Sequence, residues 1–300
     1  MNAIEIRGLS KSFRGMYAVD HLNMTVPVGA IYGFIGENGS GKSTTEKLIC
    51  GHLVPDNGNI KLFGRDYKDA GVRVRVGALI ENAGCFPNSS VYQNLMMQAI
   101  NLNLRNRDDE IMRVLEIVRM EESAKIKFKS CSFGMKQRIG IAMALLGDPA
   151  LLILDEPING LDTDGMRIMR EILVNITQKY GCTVLIASHI LGELEKIATH
   201  YGVIRQGRMI GELTAKEMEG KAQVFASVKT KDMHGAKRVL LERFGDVREE
   251  DDYLKIYDVD NTEMIVEYLL GGGYVVSEVS QNKVGLEEYY IELMSKEGEA

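Results

Sequence analysis

Three short stretches of this 300-residue chain carry residue types and spacings suited to phosphate chemistry. The first is Gly36-Glu37-Asn38-Gly39-Ser40-Gly41-Lys42-Ser43-Thr44, which fits G-x-x-x-x-G-K-[ST]. The chemistry needs that order. Glycines let successive backbone N–H groups turn inward toward phosphate oxygens. A helix that follows aims its N-terminus at the same anion. Lys42 supplies a point charge to the outer phosphates, and the Ser43 hydroxyl can ligate Mg²⁺. The second stretch is Asp155-Glu156, closing the apolar run 151–154. Asp155 is placed to bind Mg²⁺, directly or through water. Glu156 is the candidate general base for an attacking water, a role worth about 10²–10⁴ in rate. The plainer alternative is that both acids cap the turn that follows. The third is His189, behind the apolar run 183–187 and Ser188. Its imidazole could hydrogen-bond a terminal phosphate and orient the water. His21, His52, His200 and His234 read as packing or surface residues.

A fourth position has two readings. In Cys131-Ser132-Phe133-Gly134-Met135-Lys136-Gln137-Arg138, Ser132 is a good helix N-cap. Ser132, Gly134 and the helix N-terminus could also embrace a phosphate. Spacing alone favours the cap.

The elements that must position these residues alternate in type. Residues 4–35 read as short strands: Ile4 and Ile6, then Leu22, Met24 and Val26, alternate with polar neighbours. The run 30–35 leads into the glycine loop, and residues 43–51 look helical with Leu48 and Ile49 as the apolar side. Residues 91–122 read as helices broken at 101–107, with Asp108-Asp109-Glu110 at a helix start, where negative charge suits the dipole. A helix at 135–147 precedes the apolar run 151–154, the mark of a buried parallel strand. A helix at 164–178 and a strand at 183–187 repeat the alternation of a parallel sheet covered by helices. Beyond residue 220 the pattern is strand, helix, hairpin (247–259, turning at Asp251-Asp252), helix, strand, helix. That describes a small α+β unit over 221–300, with a ferredoxin-like arrangement as the candidate.

Composition bounds the partners. The chain is 45% hydrophobic and 26% charged, with a net charge of −6. That balance argues against a general nucleic-acid binder. Cys50, Cys85, Cys131 and Cys182 form no C-x-x-C pair, so neither a zinc ribbon nor a disulfide framework is indicated. The start lacks a secretory leader pattern, and no run of about 18 apolar residues occurs. A cytosolic location is expected. A guanine-nucleotide switch would want Asn-Lys-x-Asp, but Asn282-Lys283 is followed by Val284-Gly285.

Taken in order, these stretches resemble an ABC-type ATP-binding cassette over about residues 3–215. The loop 36–44 matches Walker A and 151–156 Walker B. Residues 132–137 resemble the signature motif, Asn159-Gly160-Leu161-Asp162 the D-loop, and Ser188-His189 the switch histidine. The resemblance implies a P-loop NTPase fold of α/β class over 1–220: a mixed sheet core, an antiparallel β subdomain and a helical subdomain at about 85–145. It implies ATP and Mg²⁺ as ligands, Phe13 stacked on adenine, and Asp162 at the nucleotide interface. It also implies two cassettes packed head to tail as a homodimer or heterodimer, with Ser132 and Gly134 acting in trans. Cys131, Phe133 and Met135 depart from Leu-Ser-Gly-Gly-Gln, while its Ser and second Gly are kept.

Most cassettes carry Gln where this chain has Glu81. A Glu there resembles the subgroup of bacitracin-resistance and lantibiotic-immunity ATPases, as do residues 85–95 and 285–290, although Ala83 stands where Pro is expected. Glu81 can ligate Mg²⁺. Its alternative is a solvated loop acid. The expected function is an ATPase subunit, peripheral on the inner membrane face, that drives export or membrane removal of a peptide antibiotic through a separate transmembrane permease. An importer subunit and a soluble non-transport ATPase are the alternatives.

Overall fold

The computed structural model describes residues 1–221, 224–250, 252–257, 259, 261–283 and 285–296. It divides into two compact units, Met1–Ala215 and Lys216–Ala300. In chain order the first runs β1 (Asn2–Phe13), β2 (Met16–Pro27), β3 (Ile31–Ile35), α1 (Lys42–Ile49), β4 (Asn57–Leu62), β5 (Arg65–Asp66), α2 (Ala70–Arg73), β6 (Val76–Leu79), α3 (Val91–Asn101), α4 (Arg107–Ile117), α5 (Phe133–Leu145), β7 (Leu151–Asp155), α6 (Thr163–Tyr180), β8 (Thr183–Ser188), α7 (Leu191–Glu195), β9 (His200–Arg205) and β10 (Arg208–Thr214).

Alternation builds an antiparallel sheet in the order β2-β1-β4-β5. Leu22, Met24 and Val26 are buried and His21, Asn23 and Thr25 exposed, the period of a sheet with one face on a core. β1 and β2 are one long hairpin rather than several short strands. They turn through Arg14 and Gly15, both at positive φ. The second sheet has the order β10-β9-β3-β8-β7-β6. Its strands are parallel except β10, which runs antiparallel to β9. β3 and β8 are buried along their whole length, and β7 is buried up to Asp155. Such continuous apolar runs belong to strands covered on both faces.

One core joins the two sheets. Phe34, Ile153 and Leu185 of the parallel sheet pack in the same cluster as Ile4, Met24 and Ile60 of the antiparallel one and Leu48 and Ile49 of α1. Each such side chain contributes about 1.5–3 kcal/mol by leaving water. Helices α3, α4 and α5 pack on one another as a helical lobe. A capping box of Ser90 and Gln93 starts α3, and Asp108, Asp109 and Glu110 occupy the first turn of α4. Helix α5 begins two residues earlier than its apolar pattern suggests, because Ser132 caps it. No helix of the described residues is long and apolar enough to cross a membrane.

The second unit follows α8 (Ala215–Lys221) with β11 (Val224–Thr230), α9 (Met233–Phe244), β12 (Val247–Glu250), β13 (Tyr253–Tyr257), α10 (Thr262–Gly271), β14 (Val276–Lys283) and α11 (Leu286–Lys296). From β11 to β14 this is a βαββαβ run, and the strands are ordered β12-β13-β11-β14 with antiparallel neighbours. That is the connectivity of a split βαβ unit. Val228, Leu240, Leu254, Ile256, Ile265 and Leu269 form a core of its own. Of the turn expected at Asp251-Asp252, Asp251 lies outside the described residues, and Asp252 has φ of 64°.

Candidate functional site

Parallel register brings the candidate residues to one edge. Ile35 of β3 pairs with Ser188 of β8, and Asp155 of β7 pairs with Ala187. The C-terminal ends of the three strands are therefore level, and Gly36, Glu156 and His189 leave the sheet together. Ligands in open α/β sheets bind along this edge.

The glycine loop is shaped by close backbone approach. A Cβ on Gly36 would lie 2.5 Å from Ile204 O, and one on Gly41, at φ 110°, would lie 2.4 Å from Ala18 O. No side chain caps α1, so its N-terminal N–H groups stay available to an anion. Asn38, Gly39, Gly41, Lys42, Ser43 and Thr44 line a cavity of about 270 Å³ together with Asp155, Glu156 and Ala18. Lys42 is buried, and its Nζ donates to Gly36 O at 2.6 Å and Glu37 O at 3.1 Å. Ser40 is buried too, its hydroxyl without a partner among the described residues.

Ser43 Oγ donates to Asp155 Oδ2 at 2.9 Å. A hydroxyl and a carboxylate at a phosphate loop are the hard oxygen donors that Mg²⁺ takes, with phosphate and water oxygens filling the remaining positions. Burial pushes the Asp155 pKa up. The Ser43 hydrogen bond and the Lys42 charge oppose that, while the charges of Glu156 and Glu81 reinforce it. A divalent cation would stabilise the ionised carboxylate against both the burial and the like charges.

Glu156 sits at φ 50° with its N–H donating to Ala187 O at 2.9 Å. A left-handed non-glycine backbone costs about 1–3 kcal/mol, and such strain clusters at active sites. The bend aims the carboxylate at β8: Oε1 lies 2.7 Å from His189 Nδ1, and Oε2 accepts from Ser188 Oγ at 3.2 Å. His189 thus holds Glu156. Neither acid spends its carboxylate on capping a helix.

Glu81 follows β6 at φ 65°, and Asn82 N donates across it to Ile80 O at 2.8 Å. That is a γ-turn of the rare, strained hand. The exposed carboxylate accepts from Lys47 Nζ of α1 at 2.6 Å, and that hydrogen bond holds its pKa low.

Ser132, Gly134 and Asp162 are brought together elsewhere. They line a cavity of about 420 Å³ between the starts of α5 and α6 that shares no lining residue with the first. Both oxygen-bearing side chains serve as caps: Ser132 Oγ accepts from Met135 N at 3.2 Å, and Asp162 Oδ1 from Gly165 N at 2.9 Å. Phe133 lies against Gly160, where a Cβ would come within 3.2 Å of its ring. Phe13, at the end of β1, is 46% exposed with Lys11 Nζ 5.6 Å from its ring centre, and lines neither cavity.

Three residues escape the sequence reading. Ala18 lines the first cavity from β2, and no local pattern marks it. Lys47 stands four residues after Ser43 on α1. Glu46 is fully buried, and neither carboxylate oxygen has a hydrogen-bond partner among the described residues. Its signal was helical spacing, since it shares a face with Lys42 and Ile49.

Known proteins resemble the chain over these elements. A family model described as ABC transporter matches residues 19–159. The bacitracin transport ATP-binding protein of Bacillus licheniformis is 33% identical, over 97% of this chain and 97% of its own. The lantibiotic transport ATP-binding protein of Streptococcus pyogenes is 38% identical, over 72% of this chain and 92% of its own. Among solved structures, cbiO1 of Clostridium perfringens, part of the ABC transporter complex cbiONQ, matches with a TM-score of 0.67 and 28% identity, over 73% of this chain and 91% of that one.

Proposed function

The chain belongs to the ABC transporter family, and on that premise we propose that it is the ATP-hydrolysing subunit that drives export, or removal from the membrane, of a peptide antibiotic or similar amphipathic compound. The observation that carries the substrate class is the likeness to the bacitracin protein along nearly the whole of both chains, which takes in the second unit. The ATPase reading rests on one cavity that holds Lys42, Ser43, Asp155 and Glu156.

In this reading the loop backbone and Lys42 bind the outer phosphates of ATP, and Phe13 stacks on adenine. Ser43 and Asp155 hold Mg²⁺, with Glu81 as a further ligand. When bound, the ion would supply positive charge that offsets the negative charge of the phosphate oxygens. Glu156, oriented by His189 and Ser188, accepts the proton of the attacking water. Ser132 and Gly134, grouped in a cavity apart from Lys42, serve the ATP of a second cassette packed head to tail, with Asp162 on the same face. The working unit is a homodimer or heterodimer on the inner face of the membrane. A separate transmembrane permease supplies the path, and no nucleic acid takes part.

The test is Glu156→Gln in the chain expressed with its permease. ATP binding should persist while turnover falls by about 10²–10⁴, and tolerance of bacitracin-like peptides should be lost. Unchanged hydrolysis would remove Glu156 as the base. Tolerance that does not depend on the chain would overturn the transport reading.

A further inference from the structure

Glu81 and Lys47 lie 34 positions apart and meet through an ion pair of 2.6 Å. Lys47 is rooted one turn after Ser43 on α1, and the end of that helix is pinned where His52 N and Leu53 N donate to Lys47 O. Its ammonium therefore has a fixed base beside the Ser43–Asp155 pair. Glu81 is rooted in a strained γ-turn, followed by a loop in which Gly84 N donates to Asn82 Oδ1. A non-glycine residue held with such a backbone is strained, and strain of this kind clusters at sites that switch. The carboxylate is not among the residues that line the phosphate cavity. Its partner Lys47 nevertheless sits on the same helix as Ser43, one turn further on, and Ser43 donates to Asp155.

Lys47 thus holds a carboxylate that a hard divalent cation could also take. We propose that Lys47 is a positioning residue that holds Glu81 away from the metal position, so that Glu81 is handed from the Lys47 ammonium to Mg²⁺ when the nucleotide binds. The inference rests on the reading that Glu81 serves as a metal ligand. It adds that the affinity for Mg²⁺ is set low by a competing side chain. An ion pair this exposed is weak, which suits a latch that must open.

The test combines Lys47→Met, Lys47→Arg, Glu81→Gln and the double variant Lys47→Met/Glu81→Gln in the full chain. Equilibrium binding of a fluorescent ATP analogue is titrated with Mg²⁺. Lys47→Met should lower the half-saturating Mg²⁺ concentration by about 2–5-fold, and Lys47→Arg should leave it near wild type. Glu81→Gln should raise it, and Lys47→Met should change nothing further in that background. Without nucleotide or metal, amide exchange over residues 80–90 should quicken by a similar factor in Lys47→Met and not in Lys47→Arg. A Lys47→Met effect that persists undiminished beside Glu81→Gln, or unchanged exchange, would overturn the latch and leave the metal role of Glu81 standing. A Glu81→Gln protein with unaltered Mg²⁺ dependence would remove the metal role itself, and the latch with it.

Discussion

Glu46 holds a carboxyl group in a place where charge is expensive. It is fully buried, with both oxygens unpartnered among the described residues. Burial, and then the charge of Asp155, push its pKa well above the usual carboxylate range, against the opposing pull of Lys42. An ionised carboxylate there would be uncompensated, so the folded chain keeps the group protonated. In the unfolded chain it ionises above pH about 4.3. Stability from this group is therefore full below that pH and drains away as pH rises toward the folded-state pKa. Glu46→Met, similar in volume, should raise unfolding stability by about 1–3 kcal/mol at pH 8, with a smaller gain at pH 5. Urea unfolding at the two pH values checks this, and a loss at both would assign Glu46 a stabilising contact. The candidate catalytic residues are legible at this scale because their neighbours announce them. Glycines, a lysine and an acid pair stand beside apolar runs. Glu46 carries no such flag, since only its helical face gives it away.

At the scale of elements, legibility followed the length of the apolar run. β3, β7 and β8 are buried on both faces and read directly from sequence, and their level ends assemble the site. The sequence reading assigns no strand to β4, β5, β6, β9 or β10, which are short, polar on one face or interrupted by glycine. β6 is the instructive case. Gly77 interrupts its pattern, yet a Cβ there would lie 1.9 Å from Ala144 O of α5, and one on Gly140 of α5 would lie 2.9 Å from Leu79. Strand and helix meet through missing side chains, and α5 is the helix that begins at Ser132. Gly77→Ala should therefore push α5 off the sheet and destabilise the protein by about 1–3 kcal/mol or more. The measurement is a shift in the urea midpoint with unchanged slope. No shift would mean that the α5–β6 approach has slack.

At the scale of the whole molecule, each unit has a hydrophobic cluster among the described residues, and the charge is uneven. Residues 221–300 hold 10 basic and 17 acidic side chains, against 26 and 25 in residues 1–220. The two hydrophobic clusters share no residue. A fragment of residues 1–221 should accordingly unfold cooperatively, melt within about 4 °C of the cassette transition in the full chain, and bind ATP. Calorimetry and nucleotide titration read this out, and a fragment that melts without a transition would make the second unit part of the fold of the first. By itself the sequence determined the phosphate loop, the acid pair, the strand that delivers it and the alternation of an α/β sheet. Each of these depends on backbone freedom or apolar periodicity within a dozen residues. Only the tertiary structure decided which distant groups meet: Lys47 with Glu81, His189 with Glu156, Ala18 with the loop, and Ser132 with Asp162 in a cavity of their own. Those meetings depend on strand order, register and the close approach of helices, and packing sets all three across sequence separations that no local pattern records.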